Sequence, residues 1–111
     1  MVKTINVGGR AVVFKATAST LTRYSAQYGR DILKDFDSAN KELLKGSLCA
    51  DSLVTLFNLA HIMAKQADPT ITNDPDEWLD TFDTFPINEV LPQIANLWIE
   101  SMGASVEQKK V

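Results

Sequence analysis

The chain has 111 residues, of which 45% are apolar and 23% charged, with a net charge of −3 and one cysteine. That is enough for one domain with a real core and too little cysteine for an internal disulfide, so a reducing compartment is the default. A pI near 5.0 argues against a dedicated nucleic-acid binder, no apolar run is long enough to span a membrane, and no signal-peptide pattern opens the chain.

Lys3 to Lys15 reads as a β-hairpin, KTINV-GG-RAVVFK. The two-residue Gly8-Gly9 loop suits a primed turn, which needs positive φ. That register sets Val7 opposite Arg10, Ile5 opposite Val12 and Lys3 opposite Phe14. Ile5, Val7, Val12 and Phe14 then share one face, and Thr4, Asn6, Ala11 and Val13 the other. Thr17 to Thr20 offers helix caps, and a short helix follows with Leu21, Tyr24 and Tyr28 on one side up to Gly29. From Arg30 to about Lys45, the residues Ile32, Phe36, Ala39 and Leu43 recur with helical spacing, with Leu33 and Leu44 alongside and Gly46 as the stop.

The most apolar run is Ser52 to Ala67, SLVTLFNLAHIMAKQA, whose only charge is Lys65. Leu53, Leu56, Phe57, Ala60, Met63, Ala64 and Ala67 form one helical stripe, and Leu59 widens it. Val54 and Ile62 lie off it. A helix apolar on most sides is buried on more than one side, within its own domain or against another chain. Asp51 or Ser52 is the expected cap, and Asp68-Pro69 the end. Asp74 then caps a short helix with Pro75 in its first turn and Glu77 completing a capping box. Its buried side is Trp78, Leu79 and Phe82. Pro86 opens the last segment, where Ile87, Val90, Leu91, Ile94, Leu97, Trp98 and Met102 make a stripe interrupted by Pro92. The expected fold is mainly α (α+β): four to five helices with an N-terminal two-stranded β-hairpin. It forms a single domain over residues 1–102, with the hairpin at 3–15, the helical part at 18–102 and a flexible tail at 103–111.

Charge is split along the chain. Residues 1–45 carry eight bases and four acids, net +4, whereas residues 46–108 carry one base and ten acids, net −9. The halves either complement each other inside the fold or steer head-to-tail self-association.

No catalytic constellation is visible. The acidic cluster Asp74, Asp76, Glu77, Asp80 and Asp83 lacks the glycine and ligand spacing of a calcium loop, and carboxylates at a helix start are what the dipole favours. His61 is the sole histidine, so no His pair can bind a metal; it reads as a surface or interface residue beside Asn58 and Lys65. Cys49 has no neighbouring His in sequence and reads as structural. No Gly-rich phosphate loop or nucleophile elbow is present. Sequence therefore predicts no enzyme, no catalytic, cofactor-binding or metal residues, and no cofactor.

Three stretches carry a family resemblance: INVGGRAVVFKAT with RYSAQYGRDILKDF, then NLAHIMAKQADPTI, then PDEWLDTFDTFPINEVLPQIANLWIESM. In this order, over residues 1–102, they resemble the tail assembly chaperones of phages with long, non-contractile tails, especially those of Gram-positive hosts. The resemblance implies a protein made in the host cell cytoplasm and absent from the mature virion. It implies binding to the tape-measure protein, whose apolar helices are kept soluble. It also implies recruitment of the tail-tube protein through a C-terminally extended form, continuing from residues 103–111. Neither nucleic acid nor a membrane is an expected partner, and homo-oligomerisation is left open. Candidate protein-interface positions are Val54, Leu59, Ile62, Trp98 and Ile99; filling the chain's own core is an equal alternative for each. The competing functional class is a small helical DNA-binding regulator, supported only by the basic first half.

Overall fold

The computed structural model describes residues 1–103. Five helices and one antiparallel hairpin make a mainly α fold with an N-terminal β element, as the sequence pattern predicts. The strands are β1, Val2–Val7, and β2, Arg10–Lys15, in the register the glycine loop dictates: Val7 faces Arg10, Ile5 faces Val12 and Lys3 faces Phe14. Gly8 and Gly9 have φ of 59° and 90°, both in the region that a primed hairpin turn requires. The pleat then buries Ile5, Val7, Val12 and Phe14 and leaves Thr4, Asn6, Ala11 and Val13 outside.

Helix α1, Ala18–Tyr28, starts at Thr17, and Gly29 ends it in a left-handed conformation. The Thr17 N–H donates to the Thr20 hydroxyl at 3.0 Å. That hydroxyl, fully buried, donates to Gln66 Oε1 at 2.6 Å, and Gln66 Nε2 donates back to Thr17 Oγ1 at 2.9 Å. The start of α1 is thereby fastened to the end of α3. Helix α2, Ile32–Lys45, is capped by the Asp31 carboxylate, which accepts from the Leu33 N–H at 2.9 Å. Ile32, Phe36 and Ala39 are buried, but Leu33 and Leu44, expected beside that stripe, are 49% and 78% exposed.

Helix α3, Ala50–Ala67, is the axis of the domain: β2, α1, α2, α4 and α5 all pack on it. It starts earlier than the sequence predicts, with Cys49 as N-cap; the expected caps Asp51 and Ser52 both lie in its first turn, Ser52 buried. Helix α4, Pro75–Asp80, has Asp74 accepting from the Asp76 N–H at 2.9 Å. Glu77 does not close a capping box; its carboxylate accepts the Thr72 hydroxyl at 2.9 Å. Helix α5, Ile87–Ser101, begins after Pro86 and continues through Pro92. Residues 104–111, most of the expected tail, lie outside the described residues.

An aromatic chain joins the layers edge to face. Phe14 of β2 meets Trp78 of α4 at 6.3 Å between ring centroids, Trp78 meets Phe82 at 5.1 Å, Phe82 meets Phe85 at 5.6 Å, and Phe85 meets Phe57 of α3 at 5.3 Å. Such edge contacts are the favoured arrangement of ring quadrupoles. The Arg10 guanidinium lies 4.0 Å from the Phe82 centroid and donates to the Thr81 carbonyl at 3.2 Å, so the hairpin turn is tied to the α4–α5 linker. No single helix among the described residues is long and apolar enough to cross a membrane.

Candidate protein-binding trough

Asp51, Thr55, Asn58, Ile62 and Lys65 of α3 recur at i, i+4, i+7, i+11 and i+14, which puts them on one face. Two recesses open along that face, their floors about two helical turns apart. The first, about 470 Å³, has Val54, Thr55 and Asn58 as its floor, Tyr24 and Tyr28 of α1 as one wall, and Arg30 and Asp35 as another. The second, about 450 Å³, is floored by His61, Ile62 and Lys65 and walled by Arg23, Ala26 and Gln27 of α1 and by Asn73. α1 shapes both recesses because the Thr17–Thr20–Gln66 network holds its first turn on the end of α3.

A charge-assisted cluster stiffens the first recess. The Arg30 guanidinium grips Asp35 with two bonds, Nε to Oδ2 at 2.7 Å and Nη2 to Oδ1 at 2.8 Å, and the Tyr24 hydroxyl donates to Oδ2 at 2.9 Å. The bond from Arg30 holds the Asp35 carboxyl below the usual carboxylate range, with that from Tyr24 adding to it. Burial, and then the bond to Asp35, push the Tyr24 phenol up to about 12. Burial likewise lifts Tyr28 to about 12, aided by the negative charges of Asp76 and Asp74. Asp51 has no ion-pair partner among the described residues.

The second recess has the opposite sign. Arg23 and Lys65 are its charged lining residues. The Lys65 ammonium donates to the Pro69 and Ile71 carbonyls at 3.1 and 2.6 Å. His61 corrects the sequence reading: it is buried, not a surface residue, because residues 68–74 fold back across α3. Its Nε2–H donates to the Thr72 carbonyl at 2.8 Å, the role a carbonyl partner imposes, while Nδ1 is buried without a partner among the described residues.

Of the five candidate interface positions, Val54 stands at the surface, 54% exposed, in the first recess. Leu59 is wholly enclosed in the chain's own core, and Ile62, Trp98 and Ile99 are buried. Ile62 shows an edge to the second recess. Trp98 and Ile99 floor a third, smaller cleft of about 240 Å³ between α2 and α5, where Leu33 and the 45% exposed Met102 form the rim. α3 and α5 are sandwiched between other elements, and an apolar stripe cannot announce which neighbour will cover it. Tyr24, Tyr28, Arg23 and Arg30 escaped the sequence reading as site residues. Only the Tyr24–Tyr28 spacing of four hinted at a shared wall, and their rings lie 5.0 Å apart.

Cys49 is exposed at the α3 N-cap; its N–H donates to Glu42 Oε1 at 2.7 Å, which helps hold that carboxyl below its ordinary range. Among the described residues no group of three or more His, Cys, Asp or Glu is placed to hold a metal ion. The two ion pairs among the described residues, Arg30–Asp35 and Lys41–Asp37, both lie inside the basic first half. Among the described residues, no direct pair joins the acidic second half to the basic first. Comparison of the chain with protein-family models, with curated proteins and with solved structures finds no match.

Proposed function

We propose that this chain is a phage tail assembly chaperone that binds the tape-measure protein in the host cytoplasm, keeps its apolar helices soluble, and leaves before the virion is complete. A C-terminally extended form brings in tail-tube subunits. The identity rests on the sequence resemblance across residues 1–102. The observation that supports a binding role is the trough on α3, where Val54 is exposed beside the half-buried Tyr28, with the buried Tyr24 behind them. A chaperone of this kind holds its client without chemistry, through apolar contact and selective polar groups. An aggregation assay tests the reading. A tape-measure segment diluted from urea scatters light; a stoichiometric amount of this chain is expected to suppress the scattering, whereas an equal mass of an unrelated small helical protein is not. Unchanged scattering over a tenfold excess would refute the proposal for this chain acting alone.

A further inference from the structure

The two recesses differ in charge sign, and α3 fixes the distance between them. At the end nearer the start of α3 stand Arg30, Asp35 and Asp51, which sum to −1; at the other stand Arg23 and Lys65, which sum to +2. Val54 and Ile62, one in each floor, are eight residues apart, about 12 Å along the axis at about 1.5 Å per residue. From this geometry we infer that the trough seats one amphipathic helix of a partner protein, running antiparallel to α3. The helix presents two apolar side chains seven or eight positions apart, an acidic first turn toward Arg23 and Lys65, and a basic last turn toward Asp51. Two side chains at that spacing lie on one face of the incoming helix and are about 11–12 Å apart, matching the two floors.

The direction follows from ordinary helix electrostatics. A free-standing helix is stabilised by acids at its N-terminus and bases at its C-terminus. A helix so furnished meets complementary charge in the trough in only one orientation. In that orientation its dipole also runs opposite to that of α3. The parallel orientation would set its lysines against Arg23 and Lys65 and its glutamates against Asp51. Between the anchors, Asn58 offers an uncharged amide rather than an apolar wall, so the inference includes a polar residue midway on the incoming helix. The identity of the client rests on the chaperone reading; the seat and its direction do not.

The test uses the full chain and two stapled, dye-labelled peptides of matched helicity. Both carry leucines at positions 5 and 12; one has glutamates first and lysines last, and the other has these charges exchanged. Fluorescence anisotropy at low salt is expected to show the first binding at least about fivefold more tightly, the scale of one exposed charge pair. The preference fades in 1 M salt. The double variant Asp51→Lys/Arg23→Glu, both sites at the surface, is expected to invert it, and Val54→Asp to weaken both peptides about tenfold or more. Circular dichroism confirms that each variant is folded. Equal affinities, a preference the double variant leaves unchanged, an inert Val54→Asp, or no binding by either peptide would each overturn the inference. If the tape-measure protein still co-purifies while the peptides fail, the chaperone reading stands and this seat does not. If the peptides behave as stated while the client does not co-purify, the trough seats a helix and the chaperone reading falls.

Discussion

Leu59 and Val54 lie on the same helix, and truncating each to alanine separates core from surface. Leu59 has no exposed surface, so Leu59→Ala removes three carbon atoms from a site enclosed on all sides. Buried Leu→Ala changes cost about 2–5 kcal/mol, the spread reflecting how far the cavity collapses. α3 is gripped by β2 and four helices, which leaves little room for collapse, so about 3 kcal/mol is expected. Against a total of about 5–15 kcal/mol for a domain of this size, that is a large fraction. At a urea slope of about 1.5 kcal/mol per M, the midpoint falls by about 2 M. Val54→Ala, at a half-exposed position, is expected to cost about 0.5 kcal/mol or less. Equilibrium urea denaturation followed by tryptophan fluorescence measures both. A Leu59→Ala cost under about 1 kcal/mol, or a Val54→Ala cost equal to it, would refute the placement of α3 as the enclosed axis.

Other perturbations reach different parts of the fold. Gly8→Ala puts a Cβ against the Thr84 hydroxyl and carbonyl at φ of 59°, whereas Gly9→Ala meets open space. Thermal melts are expected to show a loss of about 2–3 kcal/mol for the first and about 1 kcal/mol for the second. His61→Leu strips the Thr72 carbonyl of its donor, a loss of about 1–3 kcal/mol, and hydrogen exchange should rise across residues 68–74 before it rises elsewhere. Asp35 has its folded pKa depressed by Arg30, so its stabilising contribution is complete above the unfolded value of about 4 and is lost as pH falls through the folded value. Asp35→Asn should therefore flatten the acid limb of stability against pH below about 4, as followed by urea titration at each pH.

The hairpin register is legible in the sequence because two glycines fix the loop length and a period of two fixes everything after it, though β1 starts one residue earlier, at Val2. Gly29, Gly46 and the Asp74-Pro75 pair likewise marked helix ends through local chemistry alone. What sequence left undecided was non-local. His61 reads as polar-side and exposed until residues 68–74 fold back and bring the Thr72 carbonyl to its ring. Leu33 and Leu44 sit at the edges of the α2 stripe and stay exposed, Leu33 at the rim of the cleft toward α5 and Leu44 further out in solvent. Leu59, Ile62, Trp98 and Ile99 have the right character for an interface, but hydrophobic pattern carries no label for own core or partner; packing by the chain itself encloses Leu59 and buries the other three, leaving Ile62 only an edge at the second recess. The trough is a product of α1 crossing α3, held by Thr20 and Gln66, residues 46 apart in sequence and without any local signal.

The most direct test of the central claim is co-expression of this chain with the tape-measure protein of the same genome, scoring the client's soluble fraction and the mass of the co-purified complex. The account predicts that a client insoluble alone becomes soluble and elutes with several copies of this chain. A client that stays in the pellet, with both this chain and any extended form supplied, would contradict it.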